Sequence, residues 1–179
     1  MINPILEQQK RELEKIDICV DILQNARNEL YLSMRFFDVI LSKLEFMPRT
    51  DIEGFATDGY YLYFYPDYVL GMYQRDPVKV NRSFLHMVFH CLFQHLQRDE
   101  DLEQIYWDLA CDIVVESILD SLQKRSVRAY VSPYRKNIYH SLKKEMEVLT
   151  PKGVYRSIRN MHLGIEDLAK MRLEFWADD

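Results

Sequence analysis

The sequence predicts an α+β fold, predominantly α, in which helices surround one central helix and a small antiparallel sheet or hairpin packs on it. Three observations carry this. Apolar residues recur every three or four positions over most of the chain, the period of a helix with one buried face. The stretch Phe55 to Tyr65 instead holds aromatic and β-branched residues around the pair Asp58-Gly59, the pattern of a hairpin. Finally, the run from Phe84 to Phe93 is apolar on nearly every side of a helix, as the buried centre of a domain is.

The elements follow in chain order. Leu13, Ile16, Cys19, Val20, Leu23, Leu30, Met34, Phe37 and Ile40-Leu41 keep helical spacing, so 6–45 is expected to form one long helix or two in sequence. Pro48 to Gly54 breaks the pattern, and the hairpin is expected over 50–66 with a two-residue turn. Its tyrosines Tyr60, Tyr61, Tyr63 and Tyr65 should divide between an inner and an outer face. Pro66-Asp67 ends the second strand and starts a short helix to Tyr73. The central helix is expected over 77–98, opened by Asp76-Pro77 with Asn81 or Ser83 as N-cap. An amphipathic helix follows over 101–123, and helices occupy 132–179, with Thr150-Pro151 reading as an N-cap followed by proline at the first helical position. The whole, 1–179, suits a single domain, and the apolar finish Phe175-Trp176-Ala177-Asp178-Asp179 suggests a fragment of a longer protein.

Composition removes several function classes. A formal net charge of -5 and the lack of a basic stripe argue against nucleic acid and anionic membranes as partners. No stretch reaches the roughly 18 apolar residues of a membrane span, and the N-terminus lacks a signal-peptide core. Cys19, Cys91 and Cys111 sit in apolar helical patterns without Cys-x-x-Cys spacing, which suits buried free thiols, a reducing compartment and a cytoplasmic location.

The chemistry-bearing motif is His86-Met87-Val88-Phe89-His90. Two histidines four apart on a helix stand about 40° apart around its axis, so both imidazoles can face one ion. The spacing is that of H-E-x-x-H, in which two histidines hold zinc and the glutamate accepts the proton of the hydrolytic water. Here Met87 occupies the glutamate's place, and a thioether has no useful basicity. A catalytic zinc commonly takes three protein ligands, so a third is needed. His95 lies five residues past His90, about 140° around a continuing helix, and serves only if the helix stops before it.

The better candidates are Asp108, Asp112 and Glu116, which repeat every four residues on the next helix. Asp112 is the first choice as third ligand. Set in Leu109-Ala110-Cys111-Asp112-Ile113-Val114-Val115, its carboxylate would be costly to bury unless a cation or donor met it. Glu116 is an alternate ligand, a partner orienting a histidine, or a substitute base, and Asp108 is a second candidate base. Against these stands a metal-free account in which His86 and His90 bond to Asp112 and Glu116 and only fix helix packing. His140 and His162 suit local structural roles.

The run from Ala26-Arg27-Asn28-Glu29-Leu30 through Thr57-Asp58-Gly59, the histidine helix and Trp107-Asp108-Leu109-Ala110-Cys111-Asp112 resembles the metallopeptidase domain found N-terminal to von Willebrand factor A-like domains in bacterial proteins. The resemblance covers the chain to about Asp120. It implies a zincin-like fold, with a small sheet whose edge can align a peptide against the metal-bearing helix. In that family the helix reads H-E-x-x-H followed by another histidine, which maps onto His86, Met87, His90 and His95, and a tryptophan-to-aspartate motif maps onto Trp107 and Asp112. The chain departs from the pattern at Met87, where loss of a general base costs a factor of about 10²–10⁴. The expectation is therefore a metallopeptidase-like domain that binds zinc, or keeps the relic of a zinc site, with absent or atypical proteolysis and a recognition or scaffolding role. A peptide or protein partner and a downstream von Willebrand factor A-like domain would accompany it. The alternatives are an active metal-dependent hydrolase using Glu116 or Asp108 as base, and a metal-free α-rich interaction module.

Overall fold

The structure, a computed structural model, describes residues 4–175. It is 70% helical with one small sheet, which is the expected α+β class weighted towards α. Of the apolar finish Phe175 to Asp179 noted above, all but Phe175 lies outside the described residues. The chain divides into two compact units: the first runs to Val88 and takes in Lys124–Val127, and the second comprises Phe89–Gln123 and the chain from Arg128 onward.

The first unit opens with α1 (Pro4–Ser33), which buries Cys19, Ile22, Leu23, Ala26 and Leu30 along one face. The helix stops where Met34 leaves helical geometry (φ −147°), and a 3-10 turn at Arg35–Phe37 leads into α2 (Asp38–Lys43). The expected 6–45 helical region thus holds two α-helices, and it ends sooner than the spacing implied. A strand missing from the sequence expectation, β1 (Glu45–Pro48), begins at its last residue. It is too short to show a period of two, and its proline is tolerated because it is an edge strand of the sheet. β2 (Phe55–Thr57) and β3 (Tyr61–Phe64) form the antiparallel pair, but β1 pairs with β3 in parallel, so the three-stranded sheet has the order β1-β3-β2 and is mixed, not antiparallel.

Three residues, Asp58, Gly59 and Tyr60, separate β2 from β3. Asp58 Oδ1 accepts from the amides of Tyr60 (2.9 Å) and Tyr61 (2.8 Å), and Gly59 takes φ 91°, a conformation that a side chain would oppose. Leu62 and Phe64 fill the buried face of β3, so the tyrosines do not divide as expected: Tyr61, Tyr63 and Tyr65 share the partly exposed face, and Tyr60 sits exposed in the turn. Behind the sheet, the Arg27 guanidinium lies 4.2 Å from the centre of the Phe46 ring and donates to the Leu44 carbonyl.

α3 (Pro66–Arg75) and α4 (Pro77–Leu92) abut at Asp76, which ends one and starts the other. Asp76 Oδ1 accepts from the Val78 amide (3.0 Å), so Asp76 is the cap; Asn81 and Ser83 lie buried inside the helix. Arg82 Nη1 donates to the Val127 carbonyl (2.9 Å) and Ser33 bonds Ser126 (2.9 Å), which ties Lys124–Val127 into this unit.

The second unit is built on α5 (Gln104–Ser121), which buries apolar residues from Trp107 to Leu119. α6 (Pro133–Glu145), α7 (Pro151–Asn160) and α8 (Ile165–Phe175) complete it, with a core of Leu109, Ile113, Leu142, Val154, Ile158 and Phe175. Thr150 caps α7 as its sequence suggests, its hydroxyl accepting from the Gly153 amide (3.2 Å). A Cβ at Gly153 would come within 2.9 Å of that hydroxyl and 3.0 Å of the Met146 sulfur, so a side chain there would crowd the cap.

Candidate metal centre

α4 is one continuous helix through His86 and His90, and its apolar surroundings follow from Phe84, Leu85, Val88 and Phe89, all buried. His86 is fully enclosed, while His90 keeps a small exposed surface with 14% of its side chain accessible. α5 brings Asp112 to the second histidine: His90 Nε2 and Asp112 Oδ1 stand 3.2 Å apart. One donor atom each from His86, His90 and Asp112 lies within 4.8 Å of the others. Zinc ligands at roughly 2.0–2.2 Å from the ion stand about 3.4 Å apart in a tetrahedron, so the His90–Asp112 spacing already suits a metal and the set fits with small side-chain adjustment. Two neutral imidazoles and one carboxylate are also donors of the right chemical type, and Asp112 offsets half of a divalent charge.

His95 does not lie on the continuing helix. α4 ends at Leu92 rather than running to 98, Gln94 adopts φ 57°, and the His95 amide bonds back to the His90 carbonyl at 3.0 Å. The turn folds the His95 ring edge-on to that of His90, with centroids 5.2 Å apart. Trp107 fixes this corner by donating its indole N–H to the His95 carbonyl (3.1 Å), a structural task for a residue that the sequence marked only as part of a motif. Phe93 stacks on Phe89 (5.4 Å) beside it. No glycine announces the break; Gln94 supplies the left-handed residue instead.

Glu116 is committed elsewhere. It is 3% exposed, and its Oε2 accepts from Arg135 Nη1 at 2.7 Å. Arg135 also donates from Nε to Glu174 (3.2 Å), lies 3.5 Å from Asp120, and sits 5.1 Å from the centre of the Phe175 ring. Burial works against this guanidinium, yet the carboxylates around it hold its pKa above the ordinary value. Tyr139 donates to Asp120 (2.8 Å), and burial pushes its phenol upward. The sequence signal for this network was Glu116 itself, a carboxylate between valines and isoleucine that required a cation; nothing in Pro133-Tyr134-Arg135-Lys136 singles out Arg135.

Asp108, one turn before Asp112, accepts from Gln104 at 2.6 Å. Burial raises its pKa, the Gln104 bond opposes that, and the neighbouring Asp112 charge adds to the rise. Burial likewise pushes the Cys111 thiol up, and none of the three cysteines is in a disulfide among the described residues, Cys19 and Cys111 being buried and Cys91 partly exposed. Met87, in the position of the base, is buried at 8% exposure.

The family model described as "Putative metallopeptidase domain" matches residues 21–156, which contain every residue of this centre. The chain belongs to that family. The match runs from within α1 to within α7, beyond the stretch from Ala26 to Asp112 that carried the resemblance. Neither a curated protein nor a solved structure matches the chain. No helix among the described residues is long and apolar enough to cross a membrane.

Proposed function

We propose that this metallopeptidase-family domain binds zinc through His86, His90 and Asp112 and serves recognition or scaffolding rather than conventional proteolysis. The observation that carries the metal half is the convergence of three donor atoms within 4.8 Å at the end of a helix with the family's histidine spacing. Zinc in such a set supplies Lewis acidity towards a carbonyl. The motif differs from H-E-x-x-H at the proton acceptor. Met87 holds that position, Glu116 would have to break a buried ion pair to take a proton, and Asp108 is already engaged by Gln104. A downstream von Willebrand factor A-like domain in a longer bacterial protein, and a cytoplasmic setting, belong to the same proposal.

Metal analysis after gentle purification tests it. About one zinc per chain is expected, lost in the His86→Ala, His90→Ala double variant. A protein that purifies metal-free and whose melting temperature changes with neither chelator nor added zinc would sink the reading. That result would favour a metal-free module, a reading supported by the direct 3.2 Å contact of His90 with Asp112.

A further inference from the structure

The second unit contains a short segment outside regular secondary structure. Residues 128–132 form neither helix, sheet, turn nor bend, and Ser132 at their end is extended with φ −64° and ψ 156°. Exposure alternates along them: Arg128 and Tyr130 are exposed, Ala129 and Val131 half-buried. Among the described residues, the backbone N–H and C=O groups of Arg128, Ala129, Tyr130 and Val131 make no hydrogen bond. These same four residues wall a cavity of about 810 Å³ that Asp120 and Lys136 also line. Asp120 already accepts from Tyr139 (2.8 Å) and faces Arg135 (3.5 Å), so Arg128 and Lys136 supply the uncommitted charge of the cavity.

We propose that this cavity is a docking groove for an extended acidic peptide, which pairs with Arg128–Val131 as an added β-strand. Paired as a strand, four residues would span roughly 13 Å and offer one edge with about four backbone hydrogen bonds. A small anion would answer Arg128 and Lys136 and leave that row of backbone groups to water; a peptide answers both. The two cations select acidic side chains, and Tyr130, at 82% exposure, presents a ring against which an alternate side chain packs. The groove lies within the second unit and does not depend on metal at His86, His90 and Asp112.

The test is fluorescence anisotropy on the full chain with a dye-labelled heptapeptide of alternating valine and glutamate. A version of the same peptide with alternate amides N-methylated keeps the charges and removes the pairing donors. Saturable binding is expected, weakened by about tenfold or more in Lys136→Glu or Arg128→Glu and for the methylated peptide, and unchanged by chelator. Lys136 and Arg128 are exposed, so these variants should keep the fold, which circular dichroism checks. Three results each overturn the proposal. One is no saturable binding up to millimolar peptide. Another is equal binding of the methylated peptide with displacement by inorganic phosphate, which marks an anion pocket. The last is loss of binding on chelation alone, which moves the peptide to the metal centre.

Discussion

Replacing Arg135 with methionine separates a structural Glu116 from a functional one. The guanidinium of Arg135 is 9% exposed and lies 2.7, 3.5 and 3.2 Å from the carboxylates of Glu116, Asp120 and Glu174. Methionine keeps much of the apolar stem but leaves Glu116, itself 3% exposed, without that partner. Removing one partner of a buried ion pair costs about 3–5 kcal/mol. At roughly 2–4 °C per kcal/mol for a chain of this size, the melting temperature should fall by roughly 6–20 °C. Glu116→Gln keeps shape and one acceptor while Arg135 retains Glu174 and Asp120, so a smaller loss of about 1–3 kcal/mol is expected. The double variant should cost less than the sum, with a coupling of about 0.5–3 kcal/mol. Differential scanning fluorimetry and urea melts give these values, and zinc content is measured on the same samples. Zinc stoichiometry should follow Asp112→Asn and ignore Glu116→Gln. A loss under about 1 kcal/mol for Arg135→Met, or zinc lost from Glu116→Gln, would refute the assignment of Glu116 to Arg135 and return it to the metal centre.

Three further outcomes are expected. Met87→Glu restores the family's base, and in the presence of zinc it should raise peptidase activity on unfolded casein by about 10² or more from a near-zero background; strong cleavage by the natural sequence, abolished by Asp108→Asn, would instead establish a base at Asp108. Asp108 has a folded pKa above its unfolded one, so it favours folding at low pH and that contribution is lost as pH rises from about 4 through the raised value. Asp108→Asn should therefore gain stability relative to the natural sequence at pH 7 and not at pH 3, and equal pH profiles in urea melts would contradict this. Of the three thiols, Cys91 should be alkylated first at pH 8, because the Cys19 thiol is buried, donates to the Pro66 carbonyl (3.3 Å) and is pushed up to about 11, and burial raises Cys111 too. Mass-spectrometric mapping after brief iodoacetamide treatment reads the order.

Where the sequence was informative, the signal was local. Helix period, the Asp58-Gly59 pair and the Thr150-Pro151 cap are each written within a few residues, and each has its counterpart in the structure. What was not legible depended on partners distant in the chain. β1 exists because Phe46 and Met47 meet β3, and four residues ending in proline cannot show that alone. The end of α4 turns on Gln94 adopting a left-handed conformation, which glutamine rarely does and which the sequence does not mark. Arg135 was invisible for the same reason: its carboxylates come from α5 and α8, and its own surroundings in sequence are those of a solvated helix face.

Helical spacing had placed His95 about 140° from His90, and the break at Leu92 cancels that objection without making His95 a member of the donor group. Its ring stands edge-on to His90 at 5.2 Å, and its carbonyl is held by Trp107. The two arrangements predict opposite responses to substitution. If His95 orients His90, His95→Gln should lower zinc affinity by about 10–100-fold while keeping one zinc per chain at saturating metal. If it is a ligand in place of Asp112, His95→Gln should abolish stoichiometric zinc and Asp112→Asn should not. Zinc titration monitored by competition with a chromogenic chelator distinguishes them, and the 3.2 Å approach of Asp112 to His90 favours the first. On the proposed reading, that contact also bears on Met87: the donor set is His86, His90 and Asp112, so position 87 contributes nothing to holding the ion and its methionine packs as an ordinary apolar filler.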